Sequence, residues 1–404
     1  MKIVLFTFRY YLCIIMSDNY DVIVAGGSIS GLLAGREIAA KGISVAILEE
    51  DAEIGTPEHC GGLVSISGIE HLGIIPSSNA IENKIKYARI SSYSKTFKLN
   101  AEEQKVIVLD RRVFDKQIAF QTQRMGGDIR TRCPLRSITK KNHSDDNYYY
   151  DIRTSEGNLK CNYFVDARGV SSILQRNREG VLQSAQYEVY APWIQRDTIE
   201  VKFDSERYPG FFAWIIPTGS GRGKVGVAGK SINAMAALKA YMDSKGQIYS
   251  VIRKVYAPIW VRGPLETFVY GRTVVIGDAA GQTKPTTAGG IYTCGMGGIL
   301  AGRAIAKAIK QNNVNSLNEY QINWFSIFKE EFDKMIIARR LLERLDNKAL
   351  DGLFLTISQA ETEQLSRTGD FDFHSAALAK ILGAKGAAKI IKTVLGNEIR
   401  RLLK

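Results

Sequence analysis

The feature that most constrains the fold is a strand–turn–helix–strand pattern between residues 20 and 50. The β-branched run at 21–25 predicts a strand, a glycine-rich turn occupies 26–31, and a helical pattern continues to about residue 41. Gly42 suits the position just past a helix end. The apolar run at 44–48 predicts a second strand. The segment is therefore a βαβ unit, which places two parallel strands in one sheet of an α/β fold.

The turn of this unit follows a G-x-G-x-x-G frame, with Gly26 and Gly31 at its ends and Ser28 in place of the middle glycine. Gly26 permits a tight turn, Gly31 allows the helix to pack closely on the strand, and the first N–H groups of the helix can bind a pyrophosphate. Glu49 ends the second strand and is placed to accept hydrogen bonds from ribose hydroxyls; its neighbour Glu50 could take that role. These residues predict a dinucleotide site.

A second glycine-rich turn, at residues 277–291, follows an apolar run at 273–276 and precedes a helix rich in small residues. Asp278 can bind sugar hydroxyls there, and Gly289 and Gly290 present bare N–H groups to an electron-rich ligand edge. Alone, this pattern is typical of any strand–turn–helix. Together with the first turn it indicates one long ligand, and FAD has that shape. Since the G-x-G-x-x-G frame occurs once, no separate NAD(P) domain is predicted.

Composition argues against several classes of protein. The 404 residues include five scattered cysteines without a Cys-x-x-Cys pair and four isolated histidines. This argues against a disulfide framework and a metal site, and it suits a reducing cytoplasm. The net charge of +13 favours anionic partners, but no basic block with interleaved aromatic residues indicates nucleic acid. An ordinary basic enzyme explains the charge equally well.

The order of predicted elements gives a domain division. A Rossmann-like FAD-binding domain is expected from three separate segments, 17–86, 106–175 and 266–312. Residues 87–105 and 176–265 contain alternating and aromatic-rich strand patterns, and they are expected to form an inserted antiparallel-sheet substrate domain. Residues 313–404 are expected to form a C-terminal helical region.

The two ends of the chain stand apart from this division. Residues 1–16 are apolar but too few to span a bilayer, and they are interpreted as a misassigned start or a disordered extension. The tail at 376–404 carries seven basic residues and one acidic residue. It is expected either to lie on anionic lipid as an amphipathic helix or to dock on its own domain. The expected location is the cytoplasm, which the cysteine usage suits, and the tail adds the expectation of peripheral contact on the inner face of the cell membrane.

The chain resembles the FAD-dependent geranylgeranyl reductases, most closely the archaeal enzymes that saturate lipid chains. These enzymes share the fold of the p-hydroxybenzoate hydroxylase class of flavoproteins. The resemblance begins near residue 18 and covers nearly all the chain that follows. It is carried by residues 26–31, 53–57 with 60–62, 109–111 with 114–115, and 277–291.

The resemblance implies roles for individual residues. Arg111 corresponds to an arginine that reaches the ribityl and phosphate region of the flavin. Arginine suits this role because its guanidinium group can bind phosphate oxygens bidentately. Asp278 would bind a ribityl hydroxyl, and Leu135 would contact the adenine through its backbone. The N–H groups of three residues would face the flavin N1–C2=O edge and stabilise reduced flavin: Gly289, Gly290 and Ile291. Further cofactor-binding positions carried over from the family are Gly61, Gly62, Gly277 and Pro285.

A substrate site is also implied. The segment Pro209-x-x-Phe212-x-Trp214-x-Ile216-Pro217 is similar to the family motif Pro-x-x-Tyr-x-Trp-x-Phe-Pro, with phenylalanine and isoleucine replacing its tyrosine and phenylalanine. Phe212, Trp214 and Ile216 alternate along a strand and can line one apolar wall for a prenyl tail; ordinary core packing is the alternative. Pro217 completes the motif.

Two groups are candidates for the proton that alkene reduction needs. Cys60 matches the cysteine of the family's Cys-Gly motif beside the isoalloxazine. Its thiol could donate the proton or shape the path along which the proton moves. The alternative is that Cys60 is simply a small buried residue. Tyr292 is a second, weaker candidate.

The expected function is therefore FAD-dependent hydrogenation of C=C bonds in geranylgeranyl chains of membrane-lipid precursors. The partners would be an isoprenoid lipid and an electron donor that the sequence does not identify; ferredoxin, NADPH and another carrier all stay open. Three alternatives stay open: a flavin monooxygenase of the same fold, a lycopene-cyclase-like enzyme without net redox, and a membrane-associated carrier that reduces quinone. The segment Val165-Asp166-Ala167-Arg168-Gly169 resembles the Asp-Ala-Arg-Gly of lycopene cyclases.

Overall fold

The computed structural model describes residues 18–142, 148–174, 179–355, 357, 359–368 and 370–373. The predicted extension at 1–16 and the basic tail at 376–404 lie outside these residues. The strands are β1 (Asn19–Ala25), β2 (Val45–Leu48), β3 (Leu63–Ser65), β4 (Ile81–Lys84), β5 (Tyr87–Ser91), β6 (Thr96–Asn100), β7 (Val106–Leu109), β8 (Asp128–Arg130), β9 (Leu135–Asn142), β10 (Tyr148–Thr154), β11 (Asn158–Asp166), β12 (Val181–Tyr190), β13 (Thr198–Lys202), β14 (Ala213–Gly219), β15 (Arg222–Gly229), β16 (Ser250–Trp260), β17 (Val269–Tyr270) and β18 (Thr273–Val275).

The helices connect these strands and form the C-terminal part of the described chain. They are α1 (Ile29–Ala39), α2 (Ile66–His71), α3 (Arg111–Arg124), α4 (Val170–Leu174), α5 (Ala234–Asp243), α6 (Ile291–Gln311), α7 (Asn318–Leu342), α8 (Asn347–Phe354) and α9 (Gln359–Thr368). Within the described ranges, no helix combines the length and the apolar character that a bilayer span requires.

The first sheet has the order β17-β18-β11-β1-β2-β8, with β10 and β9 joined beside β11. Strand β1 runs parallel to both β11 and β2. Its side chains alternate: Val22 and Val24 face the cluster formed with α1, α3 and α6, whereas Ile23 faces a second cluster with Tyr150 and Phe164. Because both faces of β1 are covered there, the strand is apolar from Val22 to Ala25, as buried parallel strands usually are.

The second sheet has seven strands in the order β16-β12-β15-β14-β13-β5-β6. Its pairs are antiparallel except for β13 with β5. One face packs on α5, around Leu238 and Met242, and the other carries Phe212, Trp214 and Ile216. A small third sheet has the order β3-β7-β4, and its strands alternate along the chain with strands of the other two sheets.

The predicted fold class is confirmed: a parallel, Rossmann-type sheet is combined with a mainly antiparallel sheet and C-terminal helices. Helix α7 packs against the first sheet's core through Trp324, Phe328 and Phe332. The division into three domains stays a prediction, although the second sheet is built from residues 87–100 and 181–260.

Candidate functional site

The turn after β1 brings backbone atoms too close together for side chains. Gly26 has a φ of +111°, and a Cβ placed on it would lie 2.3 Å from the carbonyl oxygen of Ala167 at the end of β11. A Cβ on Gly31 would lie 1.9 Å from Gly26 O. Only glycine fits at either position, because the obstacle is backbone and cannot move aside. The turn is thus held tightly between two parallel strands.

Ser28 directly precedes α1 and leaves the helix N-terminus uncapped by its side chain. Its carbonyl accepts the first helical hydrogen bond, from Leu32 N, at 2.9 Å. The first turn of α1 contains no acidic residue. Unpaired N–H groups and the positive end of the helix dipole therefore remain for an anion such as a pyrophosphate.

Glu49 is fixed against this turn. Its Oε2 accepts from Gly27 N at 2.8 Å and its Oε1 from Asp51 N at 3.0 Å. Burial raises the pKa of the Glu49 carboxyl, and the two backbone donors oppose that rise. Glu50 is exposed, so Glu49 is the better placed of the two beside the turn. Its contact with ribose stays a prediction.

The segment before β9 runs alongside the same strand end. Glu49 N donates to Arg130 O, and Cys133 N donates to Glu49 O, both at 2.8 Å. Leu135 begins β9 two residues later and is partly buried against the cluster that contains Ile23. Leu135 therefore lies on the Glu49 side of the site, and its contact with adenine stays a prediction.

The second glycine-rich turn packs directly on the first helix. Gly277 has a φ of +67°, and a Cβ on it would lie 2.4 Å from Ser30 Oγ. Gly298 of α6 approaches the same residue, with a Cβ position 2.2 Å from Ser30 O. The structure thus brings together two turns that are some 250 residues apart in the sequence, as one ligand spanning both requires.

Asp278 and the start of α6 form one end of this site. The Asp278 carboxyl is partly buried, and its Oδ1 accepts from the thiol of Cys294 at 3.4 Å. The same oxygen lies 3.6 Å from a Cβ position on Gly290, the residue that precedes α6. Burial raises the pKa of Asp278. Ile291 opens the helix and is buried, and Pro285 is buried in the loop before it.

Arg111 lies near these groups but is already paired. Its Nε and Nη2 donate to Asp115 at 2.8 Å each, and both side chains are buried. Burial opposes the Arg111 charge, but Asp115, Cys60 and Glu58 raise its pKa above the ordinary value. The positive charge of Arg111 opposes part of the rise that burial causes in the pKa of Asp278. Among the described residues, none accepts from Nη1, and the contact of Arg111 with a phosphate or ribityl oxygen stays a prediction.

The loop with Cys60 meets the predicted substrate wall. A Cβ on Gly61 would lie 2.6 Å from Ile216 Cδ1. Gly62 has a φ of +81° and donates to Cys60 Sγ at 3.3 Å. The side chain of Gln186 links the two elements: it donates to Cys60 O at 3.5 Å and accepts from Trp214 Nε1 at 3.1 Å.

The wall itself is continuous. Phe212 stands just before β14 and is stacked on Phe211 with ring centroids 4.1 Å apart. Trp214 packs on the Phe212 cluster on one side and on the Ile216 cluster on the other. Ala288, which precedes the Gly289–Gly290 pair, packs against the first of these clusters. Pro217 ends the wall, and its carbonyl accepts from Asn83 at 2.8 Å.

A buried ion network next to this loop was not predicted. Lys224 Nζ lies 2.7 Å from Glu58 Oε1 and 3.0 Å from Glu82 Oε2, and neither Lys224 nor Glu58 exposes its side chain. Arg253 Nη2 lies 3.2 Å from Glu58 Oε2. Burial disfavours the ammonium, but the two glutamates raise the pKa of Lys224. The one sequence signal was a lysine inside β15, where the residues from Gly223 to Gly229 are otherwise small and apolar.

Three features fit a long dinucleotide. Backbone turns approach closely at Gly26, Gly31 and Gly277, the N-termini of α1 and α6 have no side-chain cap, and the carboxylates of Glu49 and Asp278 lie beside them. A sequence profile described as an FAD binding domain matches residues 19–247. The chain belongs to this FAD-binding family. FAD is therefore the cofactor of the protein, as the sequence predicted. The roles of individual residues toward FAD stay predictions.

Relatives of this FAD-binding chain carry more specific names. Digeranylgeranylglycerophospholipid reductase 2 of Methanothermobacter thermautotrophicus is 27% identical over 370 residues, which cover 86% of this chain and 94% of the relative. Digeranylgeranylglycerophospholipid reductase 2 of Methanopyrus kandleri is 28% identical over 359 residues, with 83% and 89% covered. The resemblance to geranylgeranyl reductases is confirmed by these names.

Solved structures agree on the fold of the FAD-binding chain. A geranylgeranyl bacteriochlorophyll reductase-like protein from Thermoplasma acidophilum has a TM-score of 0.82 at 21% identity, and the match covers 94% of this chain and all of that one. The halogenase PltM has a TM-score of 0.61 at 15% identity, with 95% of this chain and 93% of that one covered. At these identities the likeness concerns the fold alone.

Proposed function

We propose that the protein is an FAD-dependent oxidoreductase that hydrogenates C=C bonds in geranylgeranyl chains of membrane-lipid precursors. The observation that supports the proposal is the contact between Gly61 and Ile216, where the apolar residues of β14 pack against the loop that carries Cys60. An apolar wall at this place suits a substrate whose reacting bond is itself hydrocarbon. The names of the relatives point to the same lipid class.

Residues of both glycine-rich turns would hold FAD in one orientation. The N-terminus of α1 would bind the pyrophosphate, Glu49 the ribose, and Asp278 a ribityl hydroxyl. The N–H groups at Gly289, Gly290 and Ile291 would face the pyrimidine edge of the flavin, with the dipole of α6 behind them. When bound and reduced, FAD supplies the hydride that an alkene carbon accepts.

The protein's chemical task is then to supply a proton and exclude water. Cys60 lies within electrostatic reach of Arg111, next to the wall, and is partly exposed. Its thiol would donate the proton to one alkene carbon, and Phe212, Trp214 and Ile216 would hold the chain in a dry environment. Tyr292 is buried in the core, where it packs on His71, Phe328 and Phe373, so it is a weaker donor candidate than Cys60.

The electron donor and the membrane contact belong to the same proposal. A net charge of +13 suits an acidic protein donor such as ferredoxin, and NADPH is the other candidate. The basic tail at 376–404 would lie on anionic lipid near the substrate. Flotation with anionic liposomes, with and without residues 376–404, tests this contact. Equal flotation of the two proteins would contradict it.

The deciding experiment is a single-turnover assay. The purified, FAD-loaded protein is reduced with dithionite and incubated anaerobically with digeranylgeranyl phospholipid, and the mass of the lipid is then measured by mass spectrometry. We expect a gain of two hydrogen atoms for each bond saturated. A product of unchanged mass but altered structure would indicate the cyclase-like alternative, and gain of oxygen in air with NADPH would indicate a monooxygenase. Quinone reduction without any lipid product would indicate an electron carrier.

The Cys60 assignment has its own control. Cys60→Ala is expected to keep FAD and to lose lipid reduction, because the proton donor is removed and the loop loses only the weak hydrogen bond from Gly62 N to the sulfur. Cys133→Ala, at a buried thiol on the far side of the sheet, should reduce lipid at the normal rate. If Cys60→Ala retained full turnover, Cys60 would be a packing residue only.

A further inference from the structure

The buried side chain of Lys284 lies against the Gly289–Gly290 turn. Lys284 is 4% exposed, and its Cε and Nζ lie 3.3 Å and 3.9 Å from a Cβ position on Gly289. Its backbone is tied to the same turn: Lys284 N donates to Gly289 O at 2.9 Å, and Lys284 O accepts from Ala288 N at 2.9 Å. The side chain therefore has a fixed position relative to the N–H groups that precede α6.

The partners of this ammonium come from the segment 370–373. Lys284 Nζ donates to Phe371 O at 2.9 Å and lies 3.5 Å from Asp372 Oδ1. Asp372 is itself buried and accepts from Ser65 Oγ. Burial lowers the pKa of Lys284 below its ordinary value, and the carboxylates of Asp372, Asp370 and Glu331 oppose that fall. The Lys284–Asp372 ion pair therefore lies in the interior, at the edge of the candidate flavin site.

We propose that Lys284 stabilises the reduced flavin electrostatically, and that Asp372 moderates this effect. The proposal rests on the placement of the flavin pyrimidine edge at Gly289 and Gly290. Reduced flavin carries negative charge at N1 and C2=O, and a nearby positive charge in a low-dielectric interior favours that form over the oxidised one. The effect of Lys284 is electrostatic and requires no direct contact with the flavin. Lys284 is therefore a positioning residue and not a catalytic one.

The consequence concerns how easily the bound cofactor is reduced. A positive charge raises the midpoint potential, because it strengthens binding of reduced FAD more than binding of oxidised FAD. The cofactor then accepts electrons from its donor more readily. Asp372 reduces the net positive charge near the turn, and it does so from a segment that follows α9 in the chain.

The test is a reductive titration of the FAD-loaded protein at neutral pH, followed by absorbance against a reference dye. Lys284→Met is expected to lower the midpoint potential by at least about 30 mV, which is a tenfold loss in the affinity ratio of reduced to oxidised FAD. Lys284→Arg keeps the charge and should keep the potential near the original value. Lys239→Met removes an exposed charge on α5 and serves as the matched control, with no shift expected.

A second variant keeps the test decisive if Lys284→Met does not fold with Asp372 left unpaired. Asp372→Asn removes the negative charge and is expected to shift the potential in the opposite direction, upward. Potentials that are unchanged in both variants, or that shift in the same direction, would overturn the proposal. Mass analysis of the lipid product is independent of these potentials, so a failed substrate assignment and a failed role for Lys284 are distinguishable.

Discussion

Gly61 lies against Ile216 so closely that a Cβ on the glycine would come within 2.6 Å of the isoleucine Cδ1. One residue belongs to the loop that carries Cys60, and the other belongs to strand β14 of the second sheet. The two glycine-rich turns meet in a similar way, where Gly277 approaches Ser30. Close glycine contacts therefore join the two glycine-rich turns to each other and join the Cys60 loop to strand β14.

The first prediction concerns the Gly61 contact. Gly61→Ala is expected to cost about 1–3 kcal/mol of unfolding free energy, because the new methyl overlaps Ile216 Cδ1. It should also reduce lipid turnover while FAD stays bound. Ile216→Val removes the overlapping methyl, so the double variant Gly61→Ala/Ile216→Val should recover part of both losses. Strictly additive effects in this double-mutant cycle would show that the contact does not matter.

The second prediction concerns Lys224. Lys224→Met leaves Glu58 buried beside Arg253 without its closest cation, and such removal of one partner of a buried pair costs about 3–5 kcal/mol. Chemical denaturation of the FAD-free protein measures the loss. Lys239→Met, at an exposed ion pair on α5, is the matched control and should unfold at the original denaturant concentration. A Lys224→Met protein of unchanged stability would mean that the network is energetically neutral.

The local elements of this fold were readable from the sequence, because each is determined by residues close together. The β-branched run before Gly26 predicted β1, and the apolar run before Gly277 predicted β18. The bidentate pair between Arg111 and Asp115 also had a sequence signal, since the two residues are four apart on a helix. That spacing indicates in retrospect that the Arg111 fork is largely occupied.

The buried network around Glu58 was not readable. Its members, Glu58, Glu82, Lys224 and Arg253, come from a loop and three strands, and nothing in a strand sequence says which distant charge a buried lysine will meet. Lys284 was missed for the same reason, because its partners follow α9. The sequence predicted that the two glycine-rich turns share a ligand, but the Ser30–Gly277 contact that joins them required the structure.

The third prediction concerns the pH dependence of FAD binding. Burial raises the pKa of Asp278 in the FAD-free protein. A ribityl hydroxyl would donate to the ionised carboxylate, so bound FAD favours the deprotonated form and lowers this pKa. FAD affinity should therefore be full above the pKa of the free protein and fall as the pH drops through it.

Fluorescence titration of FAD from neutral into acidic pH checks this dependence. Asp278→Asn should bind FAD roughly tenfold more weakly at neutral pH, because it loses a hydrogen bond to a charged acceptor. Its affinity should also lose the pH dependence due to this carboxyl. Asp243→Asn, at an exposed carboxylate on α5, is the control. A pH profile that is identical in Asp278→Asn and the original protein would remove Asp278 from the site.

The fourth prediction separates the two functions of Trp214, which packs on both halves of the wall and donates to Gln186. Trp214→Ala should keep FAD and lower kcat/KM for the lipid roughly 10- to 100-fold, because the apolar contact area with the prenyl chain is lost. Trp214→Phe keeps an aromatic face but not the hydrogen bond, so it should retain most of the lipid affinity.

The control for Trp214 lies on the opposite face of the same sheet. Trp193 packs on the cluster that contains Leu238, so Trp193→Ala should lower stability without raising the KM for the lipid. If both alanine variants affected stability alike and left KM unchanged, the wall would be core packing rather than a substrate surface. If Trp214→Phe lost as much as Trp214→Ala, the hydrogen bond that connects Trp214 through Gln186 to Cys60 would matter more than the apolar surface.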